Sequence, residues 1–326
     1  MSQVLLTGAT GFIGQCMLRH LQEGNYHVRV LIRNKMDTFK FTKQEVFVGD
    51  LTQPDSLFTA CENIDTVFHL AGFAHAFSHE SESLIKQHDT VNLQGTRYLM
   101  DEAHRAGVKR FVFFSSVKAV GKSQDKVDES FIEAPDSPYG KAKREAENIV
   151  LSAQDQGMHV CILRPSLVYG PGLKGNLYHM MRAIDKGLFL PLPEVNNRRS
   201  LVSTEDICRA ALLGAYHPKA QGKIYFVTDG VPYSTQRIYH LICQALGKKI
   251  PRWFIPVSFF KCLAYMGDVS KKISGRRLFF DSEMLTKLFD SAYFCDARIQ
   301  HDLAFHPIDD LEKMLPSIVK TYRTLG

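Results

Sequence analysis

The stretch LLTGATGFIG, residues 5–14, places three glycines three positions apart between two apolar patterns. Residues 4–6 before them predict a short buried strand. After them, apolar residues recur at helical spacing: Phe12, Ile13, Met17, Leu18 and Leu21. A strand that turns straight into a helix points backbone N–H groups and the positive end of the helix dipole at one spot. Gly8, Gly11 and Gly14 would let phosphate groups approach that spot, and tight packing of the helix on the strand is the alternative reason for them.

Six more apolar runs predict further strands, at residues 28–32, 46–48, 66–70, 110–114, 160–163 and 224–227. Helical patterns lie between most of them, and this alternation predicts an α/β fold with a doubly wound parallel sheet. Pro165, Gly170, Pro171 and Gly172 suggest that the chain then leaves the sheet, and Ser203 or Thr204 is expected to cap a returning helix. We therefore predict a dinucleotide-binding domain at 1–172 plus 203–230. Residues 173–202 and 231–326 would form a smaller, discontinuous substrate-binding lobe.

The composition is typical of a soluble folded protein. Of 326 residues, 45% are hydrophobic and 23% are charged. No apolar leader precedes the first strand, which predicts a cytoplasmic protein. The apolar stretch 253–266 is interrupted by Pro256, Ser258 and Lys261, so we expect no membrane span there. Attachment of this basic amphipathic segment to a membrane surface is the alternative.

The net charge of +6 suits an anionic ligand. Basic residues gather at Arg198, Arg199, Lys271, Lys272, Arg276 and Arg277, without the interleaved aromatic residues that stack on bases. We therefore expect no nucleic-acid partner and interpret 271–277 as a solvated face.

No metal site is expected from the sequence. The seven cysteines are scattered and include no C-x-x-C pair, so they are interpreted as reduced core residues. Three histidines and two acids lie close together in sequence without a firm ligand spacing: His75, His79, His88, Glu80 and Glu82. We interpret that stretch as a loop beside the substrate.

Candidate catalytic residues follow the strand predicted at 110–114, because ligands of open α/β sheets bind beyond the carboxyl ends of the strands. Ser116 lies there, and Tyr139 and Lys143 share one face at the start of a later helix. A phenol ordinarily titrates near pH 10, so we expect the Lys143 ammonium to lower the pKa of Tyr139. Ser116 would hold a substrate oxygen while Tyr139 exchanges its proton, as hydride transfer at an alcohol carbon requires. A surface pair of Tyr and Lys is the alternative.

Seven motifs extend this pattern: TGATGFIG (7–14), GDL (49–51), HLAG (69–72), VNLQGT (91–96), FFSSVKAVG (113–121), YGKAK (139–143) and LRPSLVYGPG (163–172). Together they resemble the extended short-chain dehydrogenase/reductase family, particularly its nucleotide-sugar epimerases, dehydratases and reductases. The resemblance covers nearly the whole chain and implies a Rossmann fold and a homodimer formed through helices near 84–106 and 139–156. It makes Tyr139 the acid–base group, with Ser116 and Lys143 as its partners.

The resemblance also implies NAD or NADP as cofactor. The implied contacts are Gly8, Thr10, Gly11, Phe12, Ile13, Gly14, Arg33, Asp50, Leu51, Leu70, Ala71, Gly72, Asn92, Tyr139, Lys143 and Pro165. Within this set the glycine turn would take the pyrophosphate, 50–51 the adenine and 71–72 the nicotinamide side. The second strand ends in VLIRNK (30–35), with no acid before Asp37. A cation at Arg33 favours NADP over NAD, and stacking of Arg33 on adenine is the alternative.

Two later segments, GN (175–176) and NNRRSLVSTEDI (196–207), resemble those with which UDP-sugar enzymes hold the diphosphate and uracil. We therefore expect a UDP-sugar substrate that contacts Ser116, Asn176 and Arg199, with a solvated surface arginine pair as the alternative.

Two reactions at C4 of the sugar remain. Related dehydratases carry an acidic pair where this chain has Val117 and Lys118, so dehydration is not expected. We favour reduction of a UDP-4-keto-6-deoxy-N-acetylhexosamine for surface polysaccharide over 4-epimerisation of UDP-glucose or UDP-N-acetylglucosamine. A non-catalytic dinucleotide-sensing regulator is a distant alternative. Such proteins lose the catalytic set of Ser, Tyr and Lys, and that set is present here.

Overall fold

The computed structural model describes residues 2–74, 82–274 and 280–325. Its strands are β1 (Gln3–Thr7), β2 (His27–Ile32), β3 (Glu45–Val48), β4 (Thr66–His69), β5 (Arg110–Phe114), β6 (His159–Pro165), β7 (Leu167–Tyr169), β8 (Leu201–Ser203) and β9 (Lys223–Val227). Seven of them form a parallel sheet in the order β3-β2-β1-β4-β5-β6-β9, and β7 pairs with β8 in a small second sheet. The predicted doubly wound α/β fold is confirmed. The strands of the main sheet begin and end within two residues of the predicted bounds, whereas the β7–β8 pair was not predicted.

The helices are α1 (Phe12–Glu23), α2 (Glu82–Gln87), α3 (Gly95–Arg105), α4 (Pro138–Ser152), α5 (Asn176–Asp185), α6 (Thr204–Tyr216), α7 (Thr235–Leu246), α8 (Val257–Ser274), α9 (Ser282–Phe289), α10 (Ala297–Leu303) and α11 (Leu311–Leu325). A π-helical segment, His88–Gln94, joins α2 to α3. Ser203 caps α6 by accepting a hydrogen bond from the Asp206 N–H at 2.9 Å. Within the described residues, no helix is long and apolar enough to cross a membrane.

Helices cover both faces of the main sheet. On β1, Val4 and Leu6 belong to the apolar layer of α1 and α6, whereas Leu5 belongs to the opposite layer of α3 and α4. Because both faces are buried, a parallel strand of this kind has apolar residues at successive positions. This explains the uninterrupted apolar run at the start of the chain.

A separate apolar cluster lies in the second half of the chain. It contains side chains from α5, α7 and α11, among them Met181, Ile242 and Ile318. The helix α10 instead packs with β9, in the same layer as α1 and α6. The division into a dinucleotide-binding domain and a substrate lobe stays a prediction.

The expectation that the cysteines are core residues is wrong for three of them. Cys16 and Cys295 are half-buried, and Cys262 is exposed on α8. The physical reason differs between them, since Cys262 faces away from the apolar cluster whereas Cys16 contacts polar side chains where α1 meets α6. Residues 275–279, which include the end of the basic segment 271–277, lie outside the described residues.

Candidate active site

The glycine turn between β1 and α1 is shaped by close backbone contacts. Gly8 has a φ of +74°, and a Cβ there would lie 2.7 Å from the backbone nitrogen of Ala71, after β4. A Cβ on Gly14 would lie 2.0 Å from the Gly8 carbonyl oxygen, so the packing explanation holds for these two glycines. Gly11 caps α1 without a side-chain hydrogen bond. The first N–H groups of α1 can therefore bind an anion, and the turn fits the pyrophosphate of a dinucleotide.

A chain of buried hydrogen bonds fixes the ends of β1 and β4 beside this turn. The Ala71 N–H donates to Thr7 Oγ1 at 3.1 Å, and Thr7 Oγ1 lies 2.7 Å from His69 Nδ1. On the other side of the ring, His69 Nε2 lies 3.0 Å from Thr96 Oγ1, which donates to the Asn92 carbonyl at 2.7 Å. Every donor meets an acceptor when neutral His69 carries its proton on Nε2. Burial, with the charge of Lys143 adding to it, lowers the pKa of His69 to about 3 and keeps the ring neutral.

We expect His69 to make the fold sensitive to acid. Unfolded His69 takes up a proton near pH 6.5 but folded His69 only near 3, so its contribution to the free energy of unfolding is complete above pH 6.5. Below that pH the contribution falls by about 1.4 kcal/mol per pH unit. Urea unfolding measures the free energy of unfolding of the parent relative to that of His69→Gln. This difference should fall by roughly 2 kcal/mol from pH 7 to pH 5. A stability difference that stays constant between pH 7 and pH 5 would contradict the assignment.

Ser116, Tyr139 and Lys143 meet where β5 ends. Ser116 caps the turn Val117–Ala119, and its hydroxyl lies close enough to the phenol of half-buried Tyr139 to hydrogen-bond it. Lys143 is buried on the next turn of α4, and its Nζ donates to the Phe114 carbonyl at 2.8 Å. The structure thus brings the three predicted catalytic residues to one place, and their roles stay predictions.

The expected effect of Lys143 on Tyr139 is not what the structure shows. Burial raises the pKa of Tyr139 above its usual value, and the hydrogen bond with Ser116 partly offsets this. Burial also lowers the pKa of Lys143 to about 8. The reason is that the packing of α4 against β5 removes Lys143 and much of Tyr139 from water and directs the ammonium to the Phe114 carbonyl.

The start of α4 explains the spacing in YGKAK. Ser137 caps the helix by accepting a hydrogen bond from the Gly140 N–H at 3.1 Å. A Cβ on Gly140 would lie 2.1 Å from the Lys118 carbonyl oxygen, so a glycine is needed for the helix to approach the serine turn. Arg144 Nε ties the two together by donating to the Ala119 carbonyl at 2.8 Å. These contacts place the tyrosine beside the serine.

A buried ion pair behind the predicted catalytic residues was not identified from sequence patterns. Arg164 on β6 donates through Nε and Nη2 to the two carboxylate oxygens of Glu147 on α4, at 2.8 and 2.6 Å. The Ser115 hydroxyl donates to the same carboxylate at 2.5 Å. The charge of Glu147 also raises the pKa of Lys143 against the effect of burial. The available signal was a charged residue, Arg164, inside an otherwise apolar buried strand.

The π-helical segment holds the loop that follows β4. The Asn92 amide accepts from the Phe73 N–H at 2.8 Å and donates to the Phe73 carbonyl at 2.9 Å. A Cβ on Gly72 would lie 3.0 Å from Asn92 Oδ1. The buried ring of His88 lies 5.0 Å from the Phe73 ring and 5.5 Å from that of Tyr139. The ring of His88 therefore packs beside the ring of Tyr139. His75, His79 and Glu80 lie outside the described residues.

The other predicted cofactor contacts lie at the same edge of the sheet. Arg33 is exposed directly after β2, and the next acid, Asp37, pairs with Lys40 at 2.5 Å. Asp50 Oδ1 accepts from both the N–H and the hydroxyl of Thr52, each at 2.9 Å. The remaining contacts follow β1, β3 and β4 or end β6: Thr10, Phe12, Ile13, Leu51, Leu70, Ala71 and Pro165.

The two predicted substrate contacts have different surroundings. Asn176 is exposed at the first position of α5, after Gly175 with a φ of +75°. Arg199 is half-buried, and its Nη1 donates to the carbonyls of Lys287 at 2.8 Å and Asp290 at 3.0 Å. Part of the Arg199 guanidinium therefore holds the end of α9.

A group of positive side chains faces the serine turn. Partial removal from water lowers the pKa of Lys118, and the charges of Arg199, Lys122 and Lys287 lower it further. In the sequence, Lys118 is evidence only against dehydration, and no pattern there predicts its closeness to Arg199. We call Lys118, Arg199 and Lys287 the cationic cluster, in which Lys287 also pairs with Glu283 at 2.6 Å.

Several known proteins are similar to this chain over most of its length. A model of the NAD dependent epimerase/dehydratase family matches residues 4–227. The chain is 32% identical to a UDP-glucose 4-epimerase of Vibrio cholerae over 95% of this chain and 92% of that protein. It is 26% identical to an N-acetyl-α-D-glucosaminyl-diphospho-ditrans,octacis-undecaprenol 4-epimerase of Escherichia coli O157:H7, over 93% and 89%.

Among solved structures, a UDP-glucose 4-epimerase of Thermotoga maritima superposes with a TM-score of 0.78 at 21% identity, over 99% of this chain and 100% of that one. This likeness agrees with the Rossmann fold described above. The family model matches more than half of the chain, and the Vibrio cholerae relative aligns with 95% of it. This protein therefore belongs to the NAD dependent epimerase/dehydratase family.

Proposed function

We propose that this protein transfers a hydride at C4 of a UDP-linked hexose. The observation that carries the proposal is the meeting of Ser116, Tyr139 and Lys143 beside the glycine turn. NAD or NADP, when bound, supplies or accepts the hydride. Ser116 would hold the C4 oxygen, and Tyr139 would exchange a proton with it. The buried positive charge of Lys143 would stabilise the phenolate that forms when Tyr139 gives up its proton.

The cationic cluster supports a nucleoside diphosphate on the substrate. Lys118 lies two residues after Ser116, so a sugar held at Ser116 would bring its diphosphate near the cluster. A guanidinium such as that of Arg199 forms paired, charge-assisted hydrogen bonds with phosphate oxygens. Two relatives named for 4-epimerisation, one of them of UDP-glucose, agree with a sugar linked to a diphosphate.

Reduction of a UDP-4-keto-6-deoxy-N-acetylhexosamine is our first candidate reaction. Val117 and Lys118 supply no acid after Ser116, so elimination of water lacks a proton donor and the keto sugar would come from a separate dehydratase. Exposed Arg33 suits NADPH. This agrees with a reductase, which exchanges its cofactor at every turnover, whereas an epimerase regenerates its own.

Epimerisation at C4 is the second candidate, favoured by the two 4-epimerase relatives. The deciding experiment supplies a UDP-4-keto-6-deoxy sugar with NADPH or NADH and follows absorbance. In parallel, UDP-glucose and UDP-N-acetylglucosamine are supplied without reductant. Stoichiometric loss of reduced cofactor supports the reductase. A C4-inverted sugar without net cofactor change supports the epimerase, and no reaction in either assay would count against both.

Arg33→Ala should reduce the preference for NADP over NAD by roughly tenfold to a hundredfold, the equivalent of one charge-assisted contact of about 1.5–3 kcal/mol. The loss should appear as weaker NADP binding with NAD binding retained, because NAD lacks the 2′-phosphate. Titration of both cofactors by calorimetry measures the ratio. Lys43→Ala, at an exposed position beyond the loop, is the control. An unchanged ratio in Arg33→Ala would contradict an arginine contact to the 2′-phosphate.

We also infer a cytoplasmic homodimer, from the family resemblance of the regions around α3 and α4. The two helices pack side by side on one face of the sheet. Light scattering at micromolar concentration tests the assembly, and a monomer under those conditions would contradict it.

A further inference from the structure

A cysteine and its polar neighbours occupy the contact between α1 and α6, outside the candidate active site. Cys16 is half-buried on α1, and the fully buried Cys208 on α6 hydrogen-bonds its sulfur. Cys208 Sγ also approaches the carbonyl oxygen of Ile13, at 4.0 Å. The two thiols therefore touch one turn away from the glycine turn.

Basic groups surround the sulfur of Cys16. Arg19 Nη2 donates to Cys16 Sγ at 3.4 Å, and His20, one helical turn along α1, hydrogen-bonds the same sulfur. The Glu205 carboxylate accepts from His20 Nε2 at 2.8 Å and also from Arg19. Such a chain of sulfur, imidazole and carboxylate favours a thiolate beside an imidazolium.

Two acceptors oppose the negative charge on the sulfur. The Thr204 carbonyl and Glu205 Oε1 lie 3.4 and 3.5 Å from Cys16 Sγ and suit a protonated thiol. The hydrogen bonds from Cys208 and then His20 outweigh burial and the charge of Glu205, which both raise the pKa of Cys16, and that pKa is lowered to about 6. The pKa of His20 rises to about 9, through its hydrogen bonds to Cys16 and then Glu205. At neutral pH the sulfur is therefore largely a thiolate.

The same three donor residues could suggest a metal site, since their ligand atoms lie within 4.8 Å of one another. Two contacts argue against a dication there. The permanently charged guanidinium of Arg19 already contacts both the Cys16 sulfur and the Glu205 carboxylate. The separation of 2.8 Å between His20 Nε2 and Glu205 Oε2 is that of a hydrogen bond, which occupies the atoms a metal would need.

We propose that Cys16 is a site of oxidation by hydrogen peroxide, with Cys208 as the thiol that closes a disulfide onto it. The Cys16 thiolate attacks a peroxide oxygen, the O–O bond breaks, and the leaving hydroxide takes a proton from His20 to become water. Cys16 is oxidised to a sulfenic acid and the peroxide is reduced. The Cys208 sulfur then attacks the Cys16 sulfur, the S–O bond breaks, and the thiol proton leaves with that oxygen as a second water. The product links α1 to α6.

The test compares thiols within one folded protein. Iodoacetamide at pH 7 should modify Cys16 at least about tenfold faster than exposed Cys262, as peptide mass spectrometry would measure. Hydrogen peroxide should lower the number of free thiols by two from seven and yield a peptide linking Cys16 to Cys208. Equal rates at the two cysteines, or an unchanged number of thiols, would overturn the proposal.

Three variants make the result specific. Cys208→Ser should stop the disulfide and leave a sulfenic acid on Cys16 that dimedone traps. His20→Gln should slow the alkylation of Cys16 by roughly tenfold, and Cys262→Ser should still lose two thiols. A disulfide at Cys16 in Cys208→Ser would overturn the proposal. Reversible protection of Cys16 by equimolar zinc would overturn it in favour of a metal site.

Discussion

Turnover of Tyr139→Phe is expected to fall by roughly 10²- to 10⁴-fold, because the ring is kept and only the group that exchanges the proton is lost. The variant removes only the phenolic hydroxyl beside Ser116 and keeps the ring that packs against His88. Binding of the dinucleotide should be kept, since the Tyr139 ring, Lys143, the glycine turn and Asn92 all remain among the predicted cofactor contacts. Steady-state rates and calorimetric cofactor titration together measure the two effects.

The matched control is Tyr265→Phe, at a residue that is 70% exposed on α8. It should turn over like the parent protein. A Tyr139→Phe variant with near-parental turnover would remove Tyr139 from the chemistry. Loss of cofactor binding in parallel with turnover would instead indicate a structural role for the hydroxyl group.

Glu147→Gln is expected to lower the free energy of unfolding by about 3–5 kcal/mol, because it leaves the guanidinium of Arg164 buried without a counter-charge. Arg164 is only 2% exposed, and Glu147 is fully buried. Urea unfolding at 25 °C measures the change. The double replacement Glu147→Leu with Arg164→Met should recover much of the loss, because it removes the buried guanidinium together with its counter-charge.

The control for this prediction is Glu145→Gln, on the exposed side of the same helix. It should change the stability by no more than about 0.5 kcal/mol. Glu147→Gln should also lower the pKa of Lys143 further, since the carboxylate charge raises that pKa in the parent. A stable Glu147→Gln protein, equal to Glu145→Gln, would show that the ion pair contributes little.

The sequence by itself determined the local features of this protein. The glycines of residues 5–14, the apolar runs and the helix that begins near Tyr139 each depend on interactions between near neighbours. They were therefore predictable, and the parallel sheet followed from their alternation. The closeness of Tyr139 to Lys143 was predictable for the same reason, because positions four apart share a helix face.

Only the tertiary structure decided what surrounds those residues. Glu147 meets Arg164 across 17 positions, Thr7 meets His69 across 62, and Cys16 meets Glu205 across 189. The order of strands in the sheet determines such meetings, and no local pattern encodes them. The same packing removes Lys143 and much of Tyr139 from water, so the direction of their pKa shifts differs from what two neighbouring charges in water would predict. Spacing along the chain identifies which groups are available, whereas burial, which comes from packing, sets their charge states.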